Sequence, residues 1–324
     1  MPAGPEFSVI LDRLRDIIKP FPAVGLHRFS DLAGHDLAAL EALWPQLPVE
    51  RRRGVIQDLS EIGEANFEVS FEAVFRLGLE DEDAEVRATA IRALWEVEEP
   101  DLIAPLLDFL QHDPDVNVRA AAAGALGRYV YLGELDKLPA PQAGRLQQIL
   151  LNVIHGADEP EVRRRALEAV AYSGRPEIPP LISEAYASSD HKFRISALFA
   201  MGRSADPRWA PQVRAELSSP SPELRFEAAR AAGELQLTDA AKELSELIYD
   251  GDPQVREAAI WSLGQVGGDL ARETLTRLLD EEEDEEEQDF IRDAIDTLDF
   301  TDEVQPFSTF ALGEEDQDDR SRLN

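Results

Sequence analysis

Few side chains in this sequence could carry covalent chemistry, and their spacing does not assemble a site. There is no cysteine, which removes thiol nucleophiles, thiolate metal ligands and disulfides together. The five histidines are His27, His35, His112, His155 and His191. Three of them (His112, His155, His191) fall where turns between helices are expected. A Ser or Thr nucleophile needs a histidine base that a carboxylate orients in turn, and no local motif supplies that set. No glycine-rich loop follows a strand, as a phosphate cradle requires. The acidic run Asp280–Glu287 lacks the spaced ligands and turn glycine of a calcium loop, so it reads as solvated charge. Arg51-Arg52-Arg53 invites an anion-site reading, but Arg52 fits a structural pattern better. No catalytic residue, metal ligand or cofactor is expected.

The pattern that does recur is built on arginine. Phe193-Arg194, Leu224-Arg225 and Val255-Arg256 put an Arg after an apolar residue every 31 positions. Three residues after each stands Ala197, Ala228 or Ala259, and eight after it Gly202, Gly233 or Gly264. A period between twenty and fifty residues marks a stacked-repeat architecture. Thirty-one residues hold two helices of about eleven or twelve residues at about 1.5 Å per residue, plus two turns. Such a unit cannot bury its own apolar face and must stack on its neighbours. After Arg256 the stripe is Val255, Ala259, Ile260 and Leu263, at helical spacing. The small residue six after each Arg suits close helix approach, and the glycine suits a left-handed C-cap. Asp250-Gly251-Asp252-Pro253 reads as turn and N-cap. An Arg beside an apolar stripe needs a carboxylate, and the turn aspartates supply one.

Asp113 to Arg119, followed by Ala122, Leu126 and Gly127, repeats the same D-x-x-x-x-V-R-x-x-A-x-x-x-L-G wording. This pattern resembles HEAT repeats, in the short phycobilisome-lyase-type HEAT-like form, over roughly residues 30–300. The resemblance implies an all-α fold, a right-handed α-solenoid of about eight HEAT-like helix pairs. Its anchors would be Arg52, Arg87, Arg119, Arg163, Arg194, Arg225, Arg256 and Arg292. That family includes scaffolds, bilin lyases and a few enzymes, so the resemblance speaks to fold more than to function. HEAT-like hydroxylases build a di-iron site from His-Glu pairs in several repeats, and no histidine here is followed by Glu. A bilin lyase cradles a chromophore and its acceptor protein, and no residue is diagnostic of that role.

Around the array, residues 1–29 read as an amphipathic N-terminal helix (Phe7 to Lys19, stopped by Pro20) and a linker. The helix is expected to cap the first repeat. The anchor spacing from Arg119 to Arg163 is 44, so an insertion is placed at 132–141, in a loop. The last inter-helix turn is expected to be swollen by acids over 280–289. The acidic tail 301–324 has no helical stripe and is expected to be disordered. Its Phe307 and Phe310 form either a docking motif or a segment folded back on the chain.

The net charge is −33, which repels phosphate backbones and makes nucleic acid an unfavourable partner. No apolar run is long enough to span a membrane. Nothing at the start resembles a signal peptide, so a cytoplasmic protein is expected. What remains is surface. One and five residues after each anchor, the second helix points away from the seam. There the three regular repeats carry Ile195, Phe199, Phe226, Arg230 and Trp261, where other repeats carry small or charged residues such as Ala88, Arg92, Ala120 and Gly124. Aromatics with Arg are what interface centres favour. These five are therefore the expected partner-binding residues, on a concave face, for a protein or peptide partner of a non-enzymatic scaffold; the alternatives are a bilin-lyase-like accessory protein for chromophore attachment and an enzyme whose site is not visible in the sequence.

Overall fold

The computed structural model describes residues 7–16, 23–66 and 68–318, with the side chains of 23–24 and 304–318 outside that description. The chain divides into two compact units, Met1–Ser173 and Gly174–Asn324. Where the sequence suggests one array over 30–300, this boundary falls in Ser173-Gly174-Arg175-Pro176, a glycine and proline that end one helix pair before the next. Among the described residues every regular element is helical.

The first unit opens with α1 (Phe7–Arg15) and the short α2 (Ala23–Leu26). Four helix pairs follow: α3 (Gly34–Leu43) with α4 (Val49–Ala65), α5 (Glu72–Leu79) with α6 (Ala84–Ala93), α7 (Ile103–His112) with α8 (Val116–Glu134), and α9 (Ala140–His155) with α10 (Pro160–Val170). The second unit holds four more: α11 (Ile178–Tyr186) with α12 (His191–Arg203), α13 (Ala210–Glu216) with α14 (Pro222–Glu234), α15 (Ala241–Leu247) with α16 (Pro253–Val266), and α17 (Asp269–Glu281) with α18 (Glu285–Asp318). Within each unit the second helices pack in order, α4-α6-α8-α10 and α12-α14-α16-α18. The architecture is an all-α solenoid.

The stripe read from the sequence is the seam. Val118, Ala122 and Leu126 of α8, and Val255, Ala259 and Leu263 of α16, are fully or almost fully buried. Burying each Val or Leu contributes about 1.5–3 kcal/mol, which is what a helix this short needs to persist. α1 buries Phe7, Ile10, Leu11 and Leu14 and packs on α3. Its ring Phe7 meets Phe29 edge-on, with centroids 5.5 Å apart.

The anchor arginines work differently from the simplest expectation. Arg87, Arg119 and Arg225 each take main-chain carbonyl oxygen from their own turn and a carboxylate from the next pair's turn. Arg87 donates to the carbonyls of Asp81 and Glu82, both at 2.9 Å. Its other two nitrogens fork onto Asp113, at 2.9 and 3.0 Å. Arg119 repeats the arrangement with the Asp113 carbonyl and the Asp158 carboxylate. Arg225 repeats it with the Ser219 carbonyl and Asp250. The receiving Asp also accepts the N–H two residues on, as Asp113 does from Asp115. Asp115 in turn caps α8 through the N–H groups of Asn117 and Val118. One D-x-D turn thus grips the preceding repeat and starts the next helix.

Sequence variation bends this scheme without abolishing it. The turn before Arg225 is Ser-Ser-Pro-Ser, so Arg194 takes Glu216 from the end of α13 instead, at 2.7 Å. Arg163 donates to the Ile154 carbonyl at 2.9 Å. The run Arg51-Arg52-Arg53 is structural throughout. Arg51 donates to the Asp16 carbonyl, Arg52 to Asp81, and Arg53 to Asp83 and Glu85.

Five expectations are corrected. Arg292 is no anchor: it is half-exposed and pairs with Asp289 and Gln288 of its own helix. The glycines eight after each anchor are not C-caps but close-approach points inside the second helices. A Cβ on Gly264 would lie 2.6 Å from the Ala294 carbonyl oxygen, and one on Gly202 2.9 Å from Ala231 Cα. The left-handed residue comes three positions later, at Ala205, Gln236 and Gly267. The insertion at 132–141 is spent mostly on helix, since α8 runs 19 residues and α9 16, leaving a connection of Leu135–Pro139. The acidic run ends α17 and begins α18, with only Glu282–Asp284 between them. Acids suit the first turn of α18 because the helix dipole is positive there. Finally, α18 continues through Thr301 to Asp318, where a disordered tail is expected. The side chains of Phe307 and Phe310 lie outside the described residues.

Candidate partner-binding face

The five expected contact residues come from three consecutive second helices. Ile195 and Phe199 stand on α12, Phe226 and Arg230 on α14, and Trp261 on α16. The structure puts them on one face but does not leave them open, because all five are half-buried. The close approach that the glycines permit explains this. Gly233 lets α16 come so near that a Cβ there would sit 2.7 Å from the Trp261 ring. Trp261 therefore lies against the α14 backbone of the preceding repeat.

Two residues missed by the sequence reading complete the face. The Arg203 guanidinium lies over the Phe199 ring, 5.2 Å from its centroid, and Arg230 lies over Phe226 at 5.9 Å. Between the two arginines sits Glu234, 3.2 Å from Arg203 and 3.6 Å from Arg230. Its side chain is only 14% exposed. Burial pushes the Glu234 carboxyl above its ordinary value, and the two guanidinium charges pull it back. Arg203 and Glu234 each stand nine residues after an anchor, one helical turn past the five-residue position. Extending the stripe by that turn would have found them.

The face offers flat rings, stacked guanidinium planes and one half-buried carboxylate, which is recognition chemistry. Near its edge, Ser221 Oγ lies 3.1 Å from His191 Nε2. That contact is not a nucleophile–base pair. The hydroxyl donates to Glu223 at 2.6 Å and caps α14 through the Leu224 N–H. The same Glu223 also pairs with His191 Nε2, at 3.8 Å, and among the described residues no carboxylate pairs with the far nitrogen, Nδ1, as a base requires. Among the described residues no group of three or more His, Asp or Glu is placed to hold a metal ion.

The family described as HEAT repeats matches residues 72–140 and 210–295. Among solved structures, the chain is similar to YibA of Escherichia coli, with 21% identity over 74% of this chain and 96% of that one, at a TM-score of 0.42. It is similar to the CpcE–CpcF complex of phycocyanin lyase from a Nostoc species, with 18% identity over 70% and 94%, at 0.44. Human deoxyhypusine hydroxylase matches with 20% identity over 80% and 95%, at 0.36. No curated protein matches the sequence. With an arginine clasp recurring within each unit and the family match in both, residues 72–140 and 210–295 are HEAT repeats.

Proposed function

We propose that the chain is a non-enzymatic interaction scaffold whose protein or peptide partner lies along the second-helix face of the unit Gly174–Asn324. The observation that carries this reading is the assembly of Phe199, Phe226 and Trp261 with Arg203, Arg230 and the half-buried Glu234. At the position one residue after the anchor, α6 and α8 of the first unit carry only Ala88 and Ala120, both buried. Half-buried rings are pre-ordered, so a partner gains contact area with little loss of side-chain freedom. Ile195 and Phe226 extend the apolar area, and Arg230 supplies a stacked cation for a carboxylate or carbonyl.

The partner class follows from charge. At −33 overall, the chain disfavours nucleic acid, whose binding relies on cations displacing counterions. No helix among the described residues is long and apolar enough to cross a membrane, and no cysteine calls for an oxidising compartment. A cytoplasmic protein partner fits both observations. The test is quantitative co-purification from the native host, comparing the natural chain with Phe199→Ala plus Trp261→Ala. The reading expects a protein enriched by the natural chain and lost from the folded double variant. Recovery of duplex DNA or RNA in a salt-sensitive gel shift would contradict the partner class.

A further inference from the structure

The arginine clasp fails at one place in the second unit, and a cleft opens there. Arg194 and Arg225 each grip a carboxylate of the following pair. Arg256 donates only through Nη1, to the carbonyls of Asp250 and Gly251. No carboxylate pairs with it among the described residues. α17 runs 13 residues where α13 and α15 run 7, and the carboxylates of its turn do not reach the guanidinium. The space is a cleft of about 790 Å³ between the end of α15, α16, α17 and the start of α18. Ile260, Leu278 and Ile291 give it apolar walls. Tyr249 and Phe290 also line it and are 57% and 37% exposed.

Charge selects the occupant. Glu257, Glu282, Asp284, Glu286 and Glu287 line the same cleft, and none of them has an ion-pair partner among the described residues. Asp284 and Glu282 cap nearby N–H groups, which leaves their charge uncancelled. Five carboxylates against one arginine repel any acidic segment, including one like this chain's own Gly313-Glu314-Glu315-Asp316. We infer that this cleft docks a basic segment of a partner protein, one with a bulky apolar side chain set between lysines or arginines. The apolar side chain fills the cleft between Tyr249 and Phe290, and the flanking cations meet the carboxylates. The free nitrogens of Arg256 take a main-chain carbonyl of the segment, as Nη1 already does from Asp250. This surface is distinct from the aromatic face on α12, α14 and α16.

The probe is a fluorescein-labelled peptide of four lysines flanking a Leu-Phe pair, titrated against the full chain by fluorescence anisotropy. Two controls accompany it: the same peptide with Ala-Ala at its centre, and one with glutamates in place of lysines. Saturable binding is expected for the first peptide, about tenfold weaker binding for the Ala-Ala peptide, and none for the acidic one. Tyr249→Ala with Phe290→Ala, and separately Glu286→Gln with Glu287→Gln, should each weaken binding about tenfold. The second pair keeps the test decisive should the first disturb folding. Glu41→Gln with Glu80→Gln, which removes two exposed charges from the other unit, should leave binding unchanged, as should Phe199→Ala with Trp261→Ala. Equal binding of the Ala-Ala peptide, or equal loss in the Glu41/Glu80 variant, would show attraction by net charge alone and overturn the site. Absence of saturable binding would overturn it as well.

Discussion

The second helices of the two units carry the same frame and different faces. In both, an anchor arginine clasps the following turn, as Arg87 does to Asp113 and Arg225 to Asp250. One and five residues further on, they part. α6 and α8 present Ala88, Arg92, Ala120 and Gly124, whereas α12, α14 and α16 present Ile195, Phe199, Phe226, Arg230 and Trp261. Positions that repeat are those that every junction needs for packing. Positions that stop repeating differ in burial: Ala88 and Ala120 are buried, whereas the rings and guanidinium group of the second unit are half-buried. The comparison separates residues that hold the array from residues available to something else.

The sharpest way to break that division is through the frame. Arg52 is 3% exposed, and its partner Asp81, at 7%, also accepts from Trp44 Nε1 at 2.7 Å. Arg52→Ala leaves a buried carboxylate without its cation and should cost about 3–5 kcal/mol, read from the urea midpoint. Arg225→Ala should cost roughly 1–3 kcal/mol, since Asp250 is closer to solvent and loses two charged hydrogen bonds. Arg292→Ala, at a position that fails the pattern, should stay within about 0.5 kcal/mol. Equal losses for Arg225 and Arg292 would erase the distinction between anchor and surface.

Acid sharpens the same comparison. Hydrogen bonds from Arg225 hold the Asp250 carboxyl below its ordinary 3.8. A carboxylate with a depressed folded value contributes fully above its unfolded value, and that contribution fades as pH falls through the folded one. The stability gap between the natural chain and Arg225→Ala should therefore be full at neutral pH and shrink below about pH 4. A gap that stays constant down to about pH 2 would contradict the assignment.

How much of this was legible in the sequence depends on whether the neighbours of a residue lie in its own repeat. The helix pairs, the anchors from Arg52 to Arg256 and the apolar seam follow from periodicity, because each is a local demand made many times. The choice of carboxylate is not local: Arg87 could have used Asp81 of its own turn, and it uses the Asp81 carbonyl and the Asp113 carboxylate. Close packing was also hidden. Gly264 looks like a helix terminator until α18 is seen against it, and Trp261 looks exposed until Gly233 lets α16 approach. Arg164, one past its anchor, reads as outward-facing, yet it is 7% exposed and paired with Glu161 and Glu168. The five candidate residues were thus chosen by position, while their half-buried character and the Arg203–Glu234–Arg230 link required the packed structure.

The smallest expected effect lies on that face. Burial lifts the Glu234 carboxyl above 4.5 while Arg203 and Arg230 oppose the shift. Side-chain carboxyl NMR should find its midpoint above 4.5, and Arg203→Ala should raise it further. A midpoint below the ordinary value would mean that the carboxylate is solvated and the face looser than described.

The most direct measurement of the central claim compares what the two faces capture. The natural chain, Phe199→Ala with Trp261→Ala, and Arg92→Gln with Gly124→Ser on the first-unit face would each be used for quantitative co-purification from the native host. Circular dichroism melts would establish that all three are folded. The account predicts that one or more proteins are enriched by the natural chain and by the first-unit variant, and are lost from the Phe199/Trp261 variant. An unchanged set of captured proteins with the Phe199/Trp261 variant folded, or loss only with the first-unit variant, would contradict it.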